Sequence, residues 1–170
     1  EEARVATRLA PYRQRLAGVR AVLYTGGVKS WSMVAALQDT GIEVVASGTK
    51  KSTPDDVTRI RGLLGADAQL IEEGNPRELL RIVRESGATL LAAGGRNLYT
   101  AMKGRVAFLD VNQERHQAYS GYDGVVALAA EIDRVVSNPV FETVRRPAPW
   151  DAHRLTTRPD GVPVLVEMAG

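Results

Sequence analysis

The stretch Val22 to Ser30, V-L-Y-T-G-G-V-K-S, constrains this chain more than any other. Apolar residues from Val19 through Tyr24 suit a buried parallel strand. Gly26 and Gly27 then free the backbone, because neither carries a Cβ that would block a sharp turn or a close neighbour. Ser30 is placed to cap a helix starting at Trp31. Strand, glycine turn and helix start are how open α/β sheets present backbone N–H groups to an anionic ligand. Lys29 adds a cation at the same lip. The run matches neither G-x-G-x-x-G nor G-x-x-x-x-G-K-S/T. The residues therefore fit two readings, an anion-binding lip or a tight βα turn with one solvated lysine.

The same alternation repeats along the chain. Glu1 to Leu16 carries Val5, Leu9 and Leu16 on one helical stripe with Tyr12 beside them, and Pro11 predicts a kink or a late start. A chain that opens inside a helix without methionine reads as part of something longer. After the first strand, Trp31 to Thr40 predicts a helix with Met33, Val34 and Leu37 inward and Gly41 as its stop. Ile42 to Ala46 is a second strand, and Gly48 to Ser52 a basic turn. Thr53, Pro54 and Asp56 give an N-cap, a proline at the first helical position and an acid in the first turn of a helix reaching Leu64. Gln69 to Ile71 is a short third strand, and Asn75-Pro76-Arg77-Glu78 a capping-box pattern opening the next helix. Thr89 to Ala93 is a fourth strand meeting a second double glycine, Gly94-Gly95, before a helix from Leu98 to about Lys103. Val106 to Val111 is a fifth strand running into the polar stretch Asn112 to His116, and Asp123 can cap a helix from Gly124 to about Val136.

Strands alternating with helices at this spacing predict βαβ units, right-handed crossovers and a Rossmann-like open parallel sheet flanked by helices. Residues 1–138 are expected to form this domain. Beyond them Pro139, Pro147, Pro149, Pro159 and Pro163 break any long element, so 139–170 is expected to be an extended or partly disordered proline-rich tail.

Composition narrows the function. The formal net charge of +2 is too small to argue for nucleic acid. No apolar run approaches a membrane span and no signal peptide is read, so the chain is expected in the cytoplasm. There is no cysteine, which excludes disulfides and any thiolate ligand from these residues to zinc or an iron–sulfur cluster. The histidines are His116 and His153 alone, so a self-contained metal site is not expected.

The polar residues at predicted strand ends are Lys29, Lys50, Lys51, Arg96, Asn97, Asn112, Gln113, Glu114, Arg115 and His116. In an open α/β sheet these ends form one rim, where ligands sit. Cations outnumber acids there, which suits a phosphate, a carboxylate-rich acid or an anionic cluster. Glu114 and His116 lie two apart and could act as base and acid, but two polar residues on a loop equally serve as solvated or backbone-bonded groups. Neither histidine has a nucleophile and an acid in company, so no catalytic residue is assigned. Asn112 reads locally as a turn former.

Four stretches carry a family resemblance: T-G-G-V-K-S-W-S (Thr25 to Ser32), E-E-G-N-P-R-E-L-L (Glu72 to Leu80), A-G-G-R-N-L-Y-T-A (Ala93 to Ala101) and N-Q-E-R-H-Q-A-Y-S-G-Y-D-G (Asn112 to Gly124). In order and in register from about Leu16, and with V-R-R-P-A-P-W ending at Trp150, they resemble the NifE family within the nitrogenase component 1 superfamily. That family is the α-type subunit of the scaffold on which the nitrogenase iron–molybdenum cofactor matures. The resemblance implies the C-terminal Rossmann-like domain of a longer subunit, with the cysteine ligands of a 4Fe–4S cluster and of the cofactor precursor upstream. It implies an assembly scaffold that holds an iron–sulfur precursor during insertion of molybdenum and homocitrate, rather than an enzyme turning over substrate with its own side chains. Implied partners are a NifN-type β subunit in a heterotetramer, the iron protein NifH, NifB as precursor donor and apo-nitrogenase as acceptor.

By similarity to the catalytic nitrogenase α subunit, Lys29 stands where the relative's glycine turn carries an arginine beside the cofactor. Asn112 falls in the region of the cofactor's histidine ligand, with a one-residue length difference. Asparagine is a poor ligand for iron or molybdenum beside imidazole, which suits a cargo that must leave. Gly94, Gly95, Arg96 and Asn97 match the turn that approaches the organic acid, where a guanidinium could engage a carboxylate bidentately. The resemblance thus implies cofactor contacts from Gly26, Gly27, Lys29, Gly94, Gly95, Arg96, Asn97 and Asn112.

Two other classes remain open on the residues. A nucleotide- or nucleotide-sugar-binding enzyme half could use the same rim, but such a site commonly needs an acid near the end of the second strand. Here that strand runs Ala46-Ser47-Gly48-Thr49-Lys50. A pure interaction module could use the basic, proline-rich tail as its contact.

Overall fold

A computed structural model describes residues 1–25, 29–65, 69–111 and 119–146, together with the backbone of 153–157 and 163–167. Five strands form one parallel sheet: β1 (Arg20–Tyr24), β2 (Glu43–Gly48), β3 (Gln69–Ile71), β4 (Leu90–Ala93) and β5 (Ala107–Asp110). Their spatial order, which the sequence leaves open, is β3-β2-β1-β4-β5. The chain winds outward from β1 to β3, crosses back to β4 beside β1, and winds outward again to β5. The direction of winding reverses between β1 and β4, and that is the topological switch point of a doubly wound sheet.

Six helices flank the sheet: α1 (Glu2–Arg15), α2 (Lys29–Asp39), α3 (Pro54–Leu64), α4 (Pro76–Glu85), α5 (Leu98–Gly104) and α6 (Gly121–Val136). On one face Val22, Ala46, Leu91 and Ala93 pack with Leu79, Ile82 and Val83 of α4 and Ala101 of α5. On α4 these apolar residues recur at three- and four-residue spacing, which turns one helical stripe inward. A second cluster joins Val5 and Leu9 of α1 to Val126 and Ala129 of α6. β4 is buried at all four positions, as a central strand covered on both faces must be.

Several expectations change in detail. α1 runs unbroken through Pro11, whose ring lies on the exposed side of the helix. Salt bridges from Arg8 to Asp123 and from Arg15 to Asp133 (2.9 Å) tie α1 to α6. Asp123 is thus paired across helices rather than capping: α6 begins at Gly121, with Ser120 at the N-cap and no side-chain cap. α2 begins at Lys29, so Ser30 lies inside the first turn, where its hydroxyl is buried 3.2 Å from that of Thr25. At the Asn75 cap only half the expected box forms. Asn75 accepts the Glu78 N–H at 2.9 Å, while the Glu78 carboxylate is held by Arg81 (Nε–Oε2 3.1 Å).

The chain divides at Asn138 and Pro139 into two compact units. In the second, Pro139 opens a short helix, α7 (Pro139–Arg145), where its missing N–H costs no hydrogen bond. Further along, β6 (His153–Thr157) pairs antiparallel with β7 (Pro163–Glu167). Proline thus sets element boundaries here, at the first residue of α7 and of β7.

Candidate functional site

The site is built where the strand order reverses. Tyr24 at the end of β1 is the register partner of Ala93 at the end of β4, and Ala93 is the partner of Asp110 at the end of β5. The residues leaving β1 and β4 therefore lie side by side. Between them and the turn after β2 opens a pocket of about 630 Å³ lined by Tyr24, Thr25, Lys50, Lys51, Gly94, Gly95, Arg96 and Asn97.

Close approach explains the glycines around it. A Cβ on Gly95 would sit 2.8 Å from Asp110 Oδ2, so this turn passes close to the end of β5 and a side chain there would require the Asp110 carboxylate to shift. Tyr24 is held between two more glycines. A Cβ on Gly48 would meet the Thr25 carbonyl oxygen at 2.8 Å and the Tyr24 ring at 2.9 Å, and one on Gly74 would meet that ring at 2.7 Å. The Tyr24 hydroxyl donates to the Gly74 carbonyl at 2.8 Å, fixing the ring over the ends of β2 and β3. The turn after β4 continues as a single 3-10 turn, Gly95–Asn97. There the Asn97 N–H donates to the Gly94 carbonyl at 2.9 Å, and the Asn97 amide donates to it at 3.3 Å.

The electrostatics follow from what is paired and what is not. Lys50, Lys51 and Arg96 are exposed, and none has an ion-pair partner among the described residues. No acid is among the described lining residues of the pocket. The acid closest in sequence to the two lysines on their C-terminal side, apart from exposed Asp55, is Asp56, and it is occupied. Its carboxylate accepts from the Thr53 backbone N–H at 2.9 Å and from the Thr53 hydroxyl at 2.8 Å. Those two bonds hold its carboxyl below the usual carboxylate range, against the opposing effect of burial. The pocket is therefore a cationic one that can take an anion by charge and hydrogen bonds. Its described lining residues include no thiolate, imidazole or carboxylate that would bind a metal directly.

Of the residues expected at the site, Gly94, Gly95, Arg96 and Asn97 line this pocket together. Lys29 is exposed at the first position of α2, and it is not among the lining residues. Gly26, Gly27 and Asn112 lie outside the described residues, as do Glu114 and His116. Lys50 and Lys51, read from the sequence as part of the polar rim at the strand ends, line the pocket because β2 lies beside β1. Tyr24 and Thr25 were not singled out by sequence. Their position directly before the double glycine was the available signal. Among the described residues no cluster of His, Asp or Glu is suited to a metal ion. A second groove of about 520 Å³ runs between α1 and α6 and is mainly apolar, lined by Val5, Ala6, Leu9 and Val125 among others.

A family profile described as Nitrogenase component 1 type Oxidoreductase matches residues 1–137. The chain belongs to the nitrogenase component 1 family. Within that family it is similar to curated proteins named nitrogenase iron-molybdenum cofactor biosynthesis protein NifE. The Rippkaea orientalis protein is 59% identical, covering 84% of this chain and 30% of the relative. The Nostoc protein is 50% identical, covering 98% and 36%, and the Klebsiella pneumoniae protein 51%, covering 88% and 33%. The NifE resemblance read from the four motifs is thereby borne out. The chain spans about a third of the length of these relatives. A solved structure titled Nitrogenase Cp1 at pH 5 shares the fold, with a TM-score of 0.71 at 19% identity over 85% of this chain and 36% of that one.

Proposed function

We propose that this chain is the C-terminal Rossmann-like domain of a NifE-type subunit. Its rim helps hold an iron–sulfur precursor of the nitrogenase FeMo cofactor while molybdenum and homocitrate are inserted. The loaded precursor then passes to apo-nitrogenase. The observation that carries this reading is the cationic pocket at the switch point, whose described residues supply charge and hydrogen bonds but no strong metal ligand. Such a surface orients an anionic cargo by charge and hydrogen bonds without ligating its metal, and so lets it leave. Similarity to proteins named for cofactor biosynthesis supports the same reading.

In this proposal the chain carries no catalytic residue of its own. Its cluster ligands, including those of a 4Fe–4S cluster, come from upstream residues. Gly26, Gly27, Lys29 and Asn112 complete the rim beside Gly94, Gly95, Arg96 and Asn97. The working assembly is a cytoplasmic heterotetramer with a NifN-type β subunit, served by NifH and by NifB as precursor donor. Among the described residues no helix is long and apolar enough to cross a membrane. Against a nucleotide-binding enzyme half, β2 ends Val45-Ala46-Ser47-Gly48 with no acid for a ribose.

The test is to make Lys29→Ala, Arg96→Ala and Asn112→Ala in the full-length subunit with its partner. Iron retained per assembly and transfer to cofactor-free nitrogenase are then measured. Reduced retention or transfer, with an unchanged circular dichroism spectrum, is expected. Normal loading and delivery by all three variants would leave the cargo to the upstream residues and overturn the reading.

A further inference from the structure

The turn between β2 and α3 is built in a way that its connecting role does not require. Lys51 has φ +67°, a left-handed conformation disfavoured for a residue with a Cβ. The neighbouring backbone holds it there: Thr49 N–H donates to the Ile71 carbonyl at 2.9 Å, and Ser52 N–H to the Thr49 carbonyl at 2.8 Å. Immediately after, the Thr53–Asp56 capping box locks the start of α3. Glycine would satisfy this turn without strain, yet the position holds a lysine, next to a second one. Both line the pocket opposite Arg96, and neither has an ion-pair partner among the described residues. The Asp56 carboxylate, the nearest buried acid five residues after Lys51, is consumed by Thr53. The Ser52 hydroxyl is also buried without a partner among the described residues. Unpaired cations on facing turns repel one another, and a bound anion would relieve that repulsion.

We infer that the turn Thr49–Ser52 is a second anion-holding arm of the pocket. Lys50 and Lys51 hold one anionic group of a ligand while Arg96, on the turn after β4, holds another. The ligand class is a small polyanion with at least two anionic groups set apart, rather than one compact oxyanion. This rests on the reading of the pocket as an anion site and extends it to residues outside the double-glycine turns.

The test uses the full-length protein and isothermal titration with citrate, orthophosphate and acetate at two ionic strengths. The variants are Arg96→Ala, Lys50→Ala, Lys51→Gly and Lys51→Arg. Lys51→Gly removes the charge while keeping the backbone in its left-handed state without strain, so thermal stability is retained or raised. The expected result is that citrate binds more tightly than phosphate or acetate. Lys50→Ala and Lys51→Gly should each weaken citrate about tenfold, and Lys51→Arg should keep most of the affinity. Equal binding of phosphate and citrate would overturn the separated-group claim. Loss of citrate in Arg96→Ala, with Lys50→Ala and Lys51→Gly binding as wild type, would overturn the second arm and leave the pocket reading standing. No binding of any probe by the wild-type protein would overturn both.

Discussion

Two kinds of helix start meet at the C-terminal edge of this sheet. α3 and α4, which follow β2 and β3, are closed by their own side chains, with Thr53 accepting the Asp56 N–H and Asn75 accepting the Glu78 N–H. The 3-10 turn and α5 after β4, and α6 after β5, begin with no side-chain cap. A side-chain cap satisfies N–H groups that a helix start otherwise leaves open and stabilises the fold locally. The capped starts lie on the β3-β2 side of the sheet and the uncapped ones on the β4-β5 side. One side of the edge is thus finished by local sequence. The other brings Arg96 to the pocket from an uncapped turn, while Lys50 and Lys51 reach it from the turn just before the capped start of α3. Stability and binding should therefore respond to different residues, although they sit on neighbouring turns.

The largest effect is expected where the two sides touch. Gly48→Ala would drive a Cβ against the Thr25 backbone oxygen and the Tyr24 ring, and should destabilise by about 1–3 kcal/mol in urea denaturation. A smaller loss would mean that the end of β1 can move away from β2, and the two sides would not be rigidly joined. Next, Thr53→Ala should cost about 1 kcal/mol and leave citrate affinity unchanged. Arg96→Ala should do the reverse, staying within about 0.5 kcal/mol of wild type in stability while losing affinity. If Thr53→Ala weakened binding as much as Arg96→Ala, the division between the two kinds of turn would collapse.

A stabilising change comes third. Gly62 lies inside α3 with nothing within 4 Å of an added Cβ, so Gly62→Ala should stabilise by about 0.5–1 kcal/mol. The smallest effect is one of pH. The Asp56 carboxyl titrates lower in the folded chain than in the unfolded one, because Thr53 donates two hydrogen bonds to its charged form. Its contribution is therefore fully present above about pH 4 and is lost as pH falls through the folded value. Acid titration of thermal stability should show this loss in wild type and a shallower one in Thr53→Ala. Equal slopes would show that the Thr53 hydroxyl adds nothing to holding the charge beyond the Thr53 backbone N–H.

Much of the capped side was legible in advance. Thr53-Pro54 and Asn75-Pro76 name their helix starts by side-chain chemistry confined to a few residues, and Gly65 ends α3 at the expected place with φ +95°. The other side was less so. Ser30 had the right chemistry for a cap but lies within the first turn of α2, because the helix starts at Lys29. Asp123 had it too, but Arg8, more than a hundred residues away, takes its carboxylate. Lys50, Lys51 and Arg96 were all read as polar residues of one rim at the strand ends. That they line a single pocket followed from the strand order, which sets β2 beside β1 and β1 beside β4.

The sequence by itself determined the alternation of strands and helices, the family, and the glycine turns at strand ends, because apolar period, capping chemistry and motif order are local properties of the chain. Only the tertiary structure decided that β1 lies between β2 and β4, that Tyr24 is wedged between Gly48 and Gly74, and that cations from two distant turns line one pocket. The reason is that strand order is chosen by packing of helices on both faces of the sheet, and that choice involves residues far apart in the chain.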